Sequence, residues 1–206
     1  MDTQRTKATY NRISKVYDLA QALVERALFR RWRRDVFGMA RGRILEVGVG
    51  TGKNIPYYPA RSRVFAIDVS AGMLQRARGR SRRAECKPTL IRMDAQHLGF
   101  KRDSFDTVVA TFVYCSVPDP TRGFTELERV CKPDGRILLV EHVRSAGRIR
   151  GRIMDAANPL LARLIGFNIN RDTVGNVRRA GLKVTAVYDL KGDLFKRIHA
   201  GHRRGR

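Results

Sequence analysis

Apolar residues follow two rhythms along this chain. Over residues 19 to 37, LAQALVERALFRRWRRDVF, the positions Ala20, Leu23, Val24, Ala27, Leu28, Trp32 and Val36 recur at spacings of three and four. That spacing predicts an amphipathic helix, with Arg26, Arg30, Arg33 and Arg34 on its opposite face. Five short apolar runs follow: RILEVG, RVFAIDVS, TLIRMDA, SFDTVVATFV and GRILLVEHV. They predict buried strands. Helical stretches separate most of them, among them AGMLQRARGR and DPTRGFTELERVCK, the second closed by PDG, a turn into the next strand. Alternation of this kind predicts an α/β fold, an open parallel sheet with helices on both faces. The end of the chain breaks the pattern. LKVTAVYDL (182–190) and DLFKRIH (193–199), separated by the short KGD, predict an antiparallel strand pair. Between the fifth strand and this pair lie helical stretches at 147–166, interrupted at Pro159, and at 171–180.

A length of 206 residues suits a single core. Charge changes the picture more than length does. The 42 Lys and Arg against 19 Asp and Glu leave +23, and 33 of the cations are Arg. Such a field favours polyanions, whether nucleic acid or an anionic membrane face, and coding bias is an alternative source for it. Cys86, Cys115 and Cys131 are odd in number and widely spaced, so neither a disulfide framework nor a zinc or other metal site is expected, and a reducing cytosol fits. No apolar run approaches the ~18 residues of a membrane span. The polar start, MDTQRTKATYNRISK, has no apolar segment of the signal-peptide kind.

The densest chemical signal is ILEVGVGTGKN (44–54). Gly48, Gly50 and Gly52 let the chain turn sharply and bring backbone amides close to a ligand at the start of a helix. The spacing is GxGxG after Glu46, not the GxGxxG of dinucleotide sites. A carboxylate at that strand tip suits a cofactor carrying an amino group. Asp68 ends the second strand, where a carboxylate can take both ribose hydroxyls. Asp94 ends the third, placed for an adenine amino group. The alternative is that the glycines form only a turn and the acids only caps.

An acid followed by GxGxG, then acids at the next two strand ends, resembles the class I S-adenosylmethionine-dependent methyltransferases over nearly the whole chain. The resemblance implies a seven-stranded, Rossmann-like sheet whose seventh strand is antiparallel. It implies a helical cap and membrane-contact element at 1–40, and a single methyltransferase domain at 41–206. It implies S-adenosyl-L-methionine as cofactor, with S-adenosyl-L-homocysteine as product. Glu46 would lie near the methionine amino group, with Gly48, Gly50 and Gly52 forming the loop. Asp68 would bind the ribose and Met73 would pack on the adenine, its edge met by Asp94 and Ala95.

Methyl transfer is an in-line displacement, so alignment and exclusion of water are the main tasks. The acceptor pocket is expected at the strand carboxyl ends. That directs attention to Thr111, on the cofactor side, to Phe112, Tyr114 and Cys115, and to Glu141 and His142. The (N/D)PP(Y/F) element of base N-methylating enzymes is absent; ATFVYCSVPDP stands there instead. YNRISKVYD, with Tyr10 and Tyr17, resembles the N-terminal element of quinone and phospholipid methyltransferases; ILEVGVGTG and MDAQHL resemble the phospholipid group. YCSV, VEHV and FNINRDT resemble the alkyl-thiol enzymes. All three groups take lipidic or membrane-partitioned acceptors, which implies peripheral attachment at the cytoplasmic face of the membrane. The arginine-bearing helix is one element suited to that surface; its alternative is packing on the sheet. Residues 147–167 suit a lid over the acceptor tunnel or core packing. His142 suits a proton acceptor or a histidine satisfying a backbone carbonyl. Tyr10, Tyr17 and Tyr114 suit orientation of the attacking atom, and Tyr10 and Tyr17 alternatively closure of the cofactor site. Cys115 is expected to be a small core residue. Asn168, Asn170 and Arg171 suit a phosphate or head group, or Asn170 caps a helix beginning at Arg171. Phosphatidylethanolamine-type N-methylation is the favoured function, the alternatives being a quinone precursor, a small thiol, or RNA binding or methylation.

Overall fold

A computed structural model describes residues 3, 4, 8, 29–165 and 167–203. Seven strands form one sheet: β1 (Arg43–Val47), β2 (Arg63–Asp68), β3 (Thr89–Arg92), β4 (Phe105–Thr111), β5 (Cys131–His142), β6 (Lys183–Lys191) and β7 (Phe195–Gly201). Their order is β3-β2-β1-β4-β5-β7-β6. The first five run parallel, and β7 is antiparallel to both of its neighbours. The expected terminal hairpin is present, with Gly192 in its turn at φ +54°.

Helices α1 (Arg30–Gly38), α2 (Ala71–Ser81), α3 (Pro120–Val130), α4 (Arg148–Ile165) and α5 (Thr173–Arg179) complete the described fold. α1 and α2 cover one face of the sheet, packing Val36, Phe37, Leu74 and Ala77 against Ile44, Val109, Leu138 and Val140. α3 and α5 cover the other, packing Phe124, Leu127 and Val177 against Leu45, Val108, Ile137 and Leu139. Strands covered on both sides are buried along most of their length, which is why β1 and β4 are largely apolar. β6, at the sheet edge, alternates for much of its length.

Four expectations are corrected here. Arg33 does not share the solvent face of Arg30 and Arg34: it is 7% exposed. It lies four residues from both Phe29 and Phe37, so it falls on the buried stripe. From Phe29 onward that stripe packs on the sheet, and the remainder of the predicted 19–37 helix lies outside the described residues. Next, α4 continues through Pro159. Proline there removes the bond to the Asp155 carbonyl, on an exposed part of the helix where water can replace it. Finally, α5 starts two residues later than expected and is capped by Asp172, whose carboxylate accepts from Gly175 N at 2.9 Å. Asn170 instead donates to Asp155. The PDG turn is also absorbed into β5, through a register irregularity opposite Phe105–Thr107.

Candidate active site

The sheet order reverses between β1 and β4, and a cleft opens at the carboxyl ends of the strands there, where α/β sheets bind ligands. It encloses about 940 Å³ of empty space, part of it open solvent. The glycine loop forms its floor. Gly48, Gly50 and Gly52 all have left-handed φ, at +73°, +55° and +84°. Each also needs to be small for its own reason. A Cβ on Gly48 would lie 2.4 Å from Val113, and one on Gly52 would lie 3.0 Å from the Cα of Ala77 in α2. A Cβ on Gly50 would meet nothing within 4 Å. Gly48 and Gly52 therefore let the loop pack, while Gly50 keeps the cleft open. The amides of Gly48 and Val49 both donate to the Ile67 carbonyl, folding the loop onto β2.

Asp68 ends β2 and accepts from Gly50 N and Ser70 N, both at 2.9 Å. Burial raises its pKa, and those amide bonds oppose the rise. Met73, fixed by the Ser70 hydroxyl at the start of α2, supplies an apolar wall with Met93. Asp94 accepts from Gln96 N at 2.9 Å and from Thr3 Oγ1 at 3.2 Å, and Ala95 stands beside it on the wall.

Glu46 is fully buried and stands behind the wall. Asn54 and Tyr58 donate to its two oxygens. Asn54 also donates to Thr111 at 2.8 Å, and Arg33 reaches from α1 to both Asn54 Oδ1 (2.8 Å) and Thr111 (3.0 Å). Burial pushes the Glu46 pKa up to about 7, opposed by the Asn54 bond and the Arg33 charge. Sequence reasoning missed Arg33, Asn54 and Tyr58. The stripe spacing of Arg33 was visible, whereas nothing local marks Asn54 or Tyr58 as facing Glu46.

The other side of the cleft departs further from expectation. Tyr114 is 1% exposed, stacked on Phe124 at 3.9 Å, and its hydroxyl has no hydrogen-bond partner among the described residues. It belongs to the core beneath α3, not to the cleft, because the turn after β4 directs its ring against Phe124 and Gly123 of that helix. Glu141 is also turned away from the cleft. Its Oε1 accepts from the amides of Val113 (3.0 Å) and Tyr114 (3.2 Å), its Oε2 has no partner among the described residues, and burial raises its pKa to about 7. It braces the loop after β4 and does not contact the cleft. Asn170 and Arg171 likewise lie off the cleft wall; Arg171 donates to the carbonyl of Val117, which does line it. Burial pushes the Cys115 thiol up to about 12, so it remains protonated within the core.

Phe112 stays on the wall with φ +59°, a left-handed conformation that costs a non-glycine residue about 1–2 kcal/mol. The Arg33 guanidinium lies 5.2 Å over its ring. Phe29, at 4.6 Å from Phe112, continues an aromatic cluster through Trp32 and Phe195. The His142 ring meets Phe195 edge-on at 5.1 Å, and burial holds its pKa below the usual histidine value. Its Nδ1 is buried without a partner among the described residues, and His142 itself is not on the cleft wall. Tyr10 and Tyr17 lie outside the described residues.

β3 and β4 are separated by two strands, so Asp94 and Thr111 mark ends of the cleft roughly 14 Å apart. Acid and apolar surface at one end, with Arg33 and Lys53 elsewhere on the wall, fit a nucleoside bearing an amino-acid tail. The open space over Gly50 leaves this stretch of backbone accessible from the cleft. S-adenosylmethionine, when bound, supplies an electrophilic methyl on a sulfonium. In such a complex Asp68 would accept from the ribose hydroxyls, Met73 would pack on the base, and Arg33 would face the carboxylate of the tail.

Residues 45–139 match the family model described as a methyltransferase domain. The chain is 39% identical over 144 residues to a phosphatidylethanolamine N-methyltransferase of Cereibacter sphaeroides, covering 69% of this chain and 70% of that protein. It is 33% identical over 173 residues to a demethylmenaquinone methyltransferase of Clavibacter sepedonicus, covering 80% and 70%. A Thermotoga maritima structure described as an S-adenosylmethionine-dependent methyltransferase, possible histamine N-methyltransferase, shares the fold at a TM-score of 0.71 and 20% identity, over 94% of this chain and 98% of that one. Sequence, sheet topology and cleft agree: the chain belongs to the class I S-adenosylmethionine-dependent methyltransferases, with S-adenosyl-L-methionine as methyl donor and S-adenosyl-L-homocysteine as product.

Proposed function

We propose that this methyltransferase methylates the amine of a phosphatidylethanolamine-type phospholipid at a membrane surface, at the cytoplasmic face. The observation that carries the reading is the Phe112 ring, held on the cleft wall beside Thr111 and backed by the rings of Phe29, Trp32 and Phe195. Ring faces attract an ammonium, so such a wall suits an acceptor that gains quaternary character as methyl groups are added. The likeness to a phosphatidylethanolamine N-methyltransferase supports the same chemistry. His142 lies off the cleft wall beside Phe195; it is the proposed proton acceptor, a role that requires the acceptor to extend past Phe112 toward Phe195, and the proposal for Tyr10 and Tyr17 is closure over the cofactor. His142→Gln should then lower kcat ten- to hundredfold and remove an ionisation from its pH profile.

A quinone precursor is the second reading, favoured by the demethylmenaquinone methyltransferase likeness and by the fit of a flat ring to the same wall. The two are separated by incubating the protein with methyl-labelled cofactor and either phosphatidylethanolamine liposomes or a solubilised demethylated quinol. Label in the lipid amine supports the proposal. Label only in the quinol, or in RNA or a small thiol supplied in parallel, removes it and leaves the reaction class intact.

A further inference from the structure

α4 exposes what a helix ordinarily buries. Ile149, Ile153 and Leu160 are 77%, 62% and 63% exposed. With Ala156, also exposed, they recur at spacings of four, three and four, and so form one stripe along the helix. The stripe is the opposite of both roles the sequence suggests for residues 147–167, since it neither covers the cleft nor joins the core. The inner face of α4 is separately occupied: Met154 Sδ accepts from Ser145 N, and Asn158 bonds to Asn168 and to Ile169 N. The outward stripe is therefore not a displaced core face.

The charge around the stripe is one-sided. Arg148, Arg150, Arg152 and Arg163 are exposed on the same helix. Its only acid, Asp155, is paired with Arg144 at 2.7 Å. An apolar strip flanked by arginines matches a surface that is apolar below and anionic above, which is the interface of an acidic bilayer. A protein partner with a matching apolar groove would not require four cations beside it. Asn158 bonds to Asn168, and Asn168 donates twice to the Cys115 carbonyl, in the loop whose Phe112, Val113, Ser116 and Val117 wall the cleft. The helix is thus tied by a short chain of hydrogen bonds to the acceptor side.

We propose that α4 is a docking element, its Ile149–Ile153–Leu160 stripe entering the interface of an anionic bilayer while Arg148, Arg150, Arg152 and Arg163 engage lipid phosphates. No described helix is long and apolar enough to cross a membrane, and α4 lies in the surface plane instead. Docking itself is independent of which acceptor is methylated. That it serves delivery of the acceptor rests on the phospholipid reading above.

Flotation with phosphatidylcholine vesicles, with and without phosphatidylglycerol and without phosphatidylethanolamine, tests the dock separately from the acceptor. The wild-type chain should bind the anionic vesicles, and more weakly as salt rises. Ile153→Glu should bind at least tenfold more weakly, with unchanged circular dichroism and unchanged calorimetric affinity for the cofactor. The triple variant Arg148→Gln, Arg150→Gln, Arg152→Gln keeps the stripe and should lose both affinity and salt dependence. Ile153→Trp should show blue-shifted emission on anionic vesicles. Wild-type flotation by Ile153→Glu overturns the proposal. So does a wild-type dimer that Ile153→Glu converts to monomer, which would assign the stripe to a second copy. Vesicle binding without methylation of phosphatidylethanolamine overturns the acceptor reading and leaves the dock.

Discussion

The two halves of the sheet's carboxyl edge were written into the sequence by different means. On the β1–β3 side, the loop of glycines and the strand-end acids Asp68 and Asp94 line the cleft, as their order in the chain suggests. On the β4–β7 side, Tyr114 and Glu141 sit at the expected strand ends yet turn inward, and only Thr111 and Phe112 of the named residues line the cleft. The first half is built from backbone geometry and residues one turn apart. The second is built from side chains whose direction is fixed by packing against α1, α3 and β7.

Asp68→Ala should break the cofactor half most severely. It removes the acceptor for Gly50 N as well as the proposed ribose contact, and charge-assisted bonds of about 1.5–3 kcal/mol each imply on the order of hundredfold weaker S-adenosylmethionine binding by calorimetry. A change of less than threefold would remove Asp68 from the site.

The glycines divide that half further. Gly52→Ala adds a close contact to α2 on top of its left-handed φ, and should cost about 3 kcal/mol of stability in urea denaturation. Gly50→Ala faces open space and should cost only about 1 kcal/mol, while weakening cofactor binding. Equal losses of stability would contradict the separate roles assigned to them.

The two halves meet in their buried glutamates. Glu46 and Glu141 both hold a proton to about pH 7, against an ordinary value of 4.5. Between those pH values the folded chain binds more protons than the unfolded chain. Stability therefore falls as pH rises from about 4.5 to about 7, and levels above that. Glu141→Gln should reduce the loss of stability across this window by about 3 kcal/mol, read from urea midpoints at successive pH values. A slope equal to wild type would show that Glu141 does not titrate there.

Tyr114→Phe is the mildest change. The hydroxyl is buried without a partner among the described residues, so its removal should raise stability by about 1 kcal/mol and leave kcat within twofold. A tenfold fall in kcat would return Tyr114 to the active site.

The strands were legible because helices cover both faces of the sheet, which favours largely apolar runs such as RILEV and FDTVVAT. The antiparallel last pair was legible from its short connection. Arg33 was hidden in plain view. In RRWRRD four arginines look alike, and only their angle around α1 separates Arg33, on the stripe with Phe29 and Phe37, from the exposed Arg30, Arg31 and Arg34. Asn54 and Tyr58 were not legible, because their function is to satisfy a carboxylate on β1 across a turn. The exposed stripe of α4 was visible as a pattern but not as a surface. Periodicity shows that one face is apolar without showing whether anything covers it.

Short-range order in the chain determined the parallel sheet, the glycine floor and the acids at the cofactor end, since each depends on residues a few positions apart and on backbone stereochemistry. Tertiary structure alone decided which way Tyr114, Glu141 and His142 turn, which arginine enters the site, and which helix keeps its apolar face outward. The physical reason is that a strand offers its residues to both faces equally, and only what packs on each face makes one of them a core and the other a cleft.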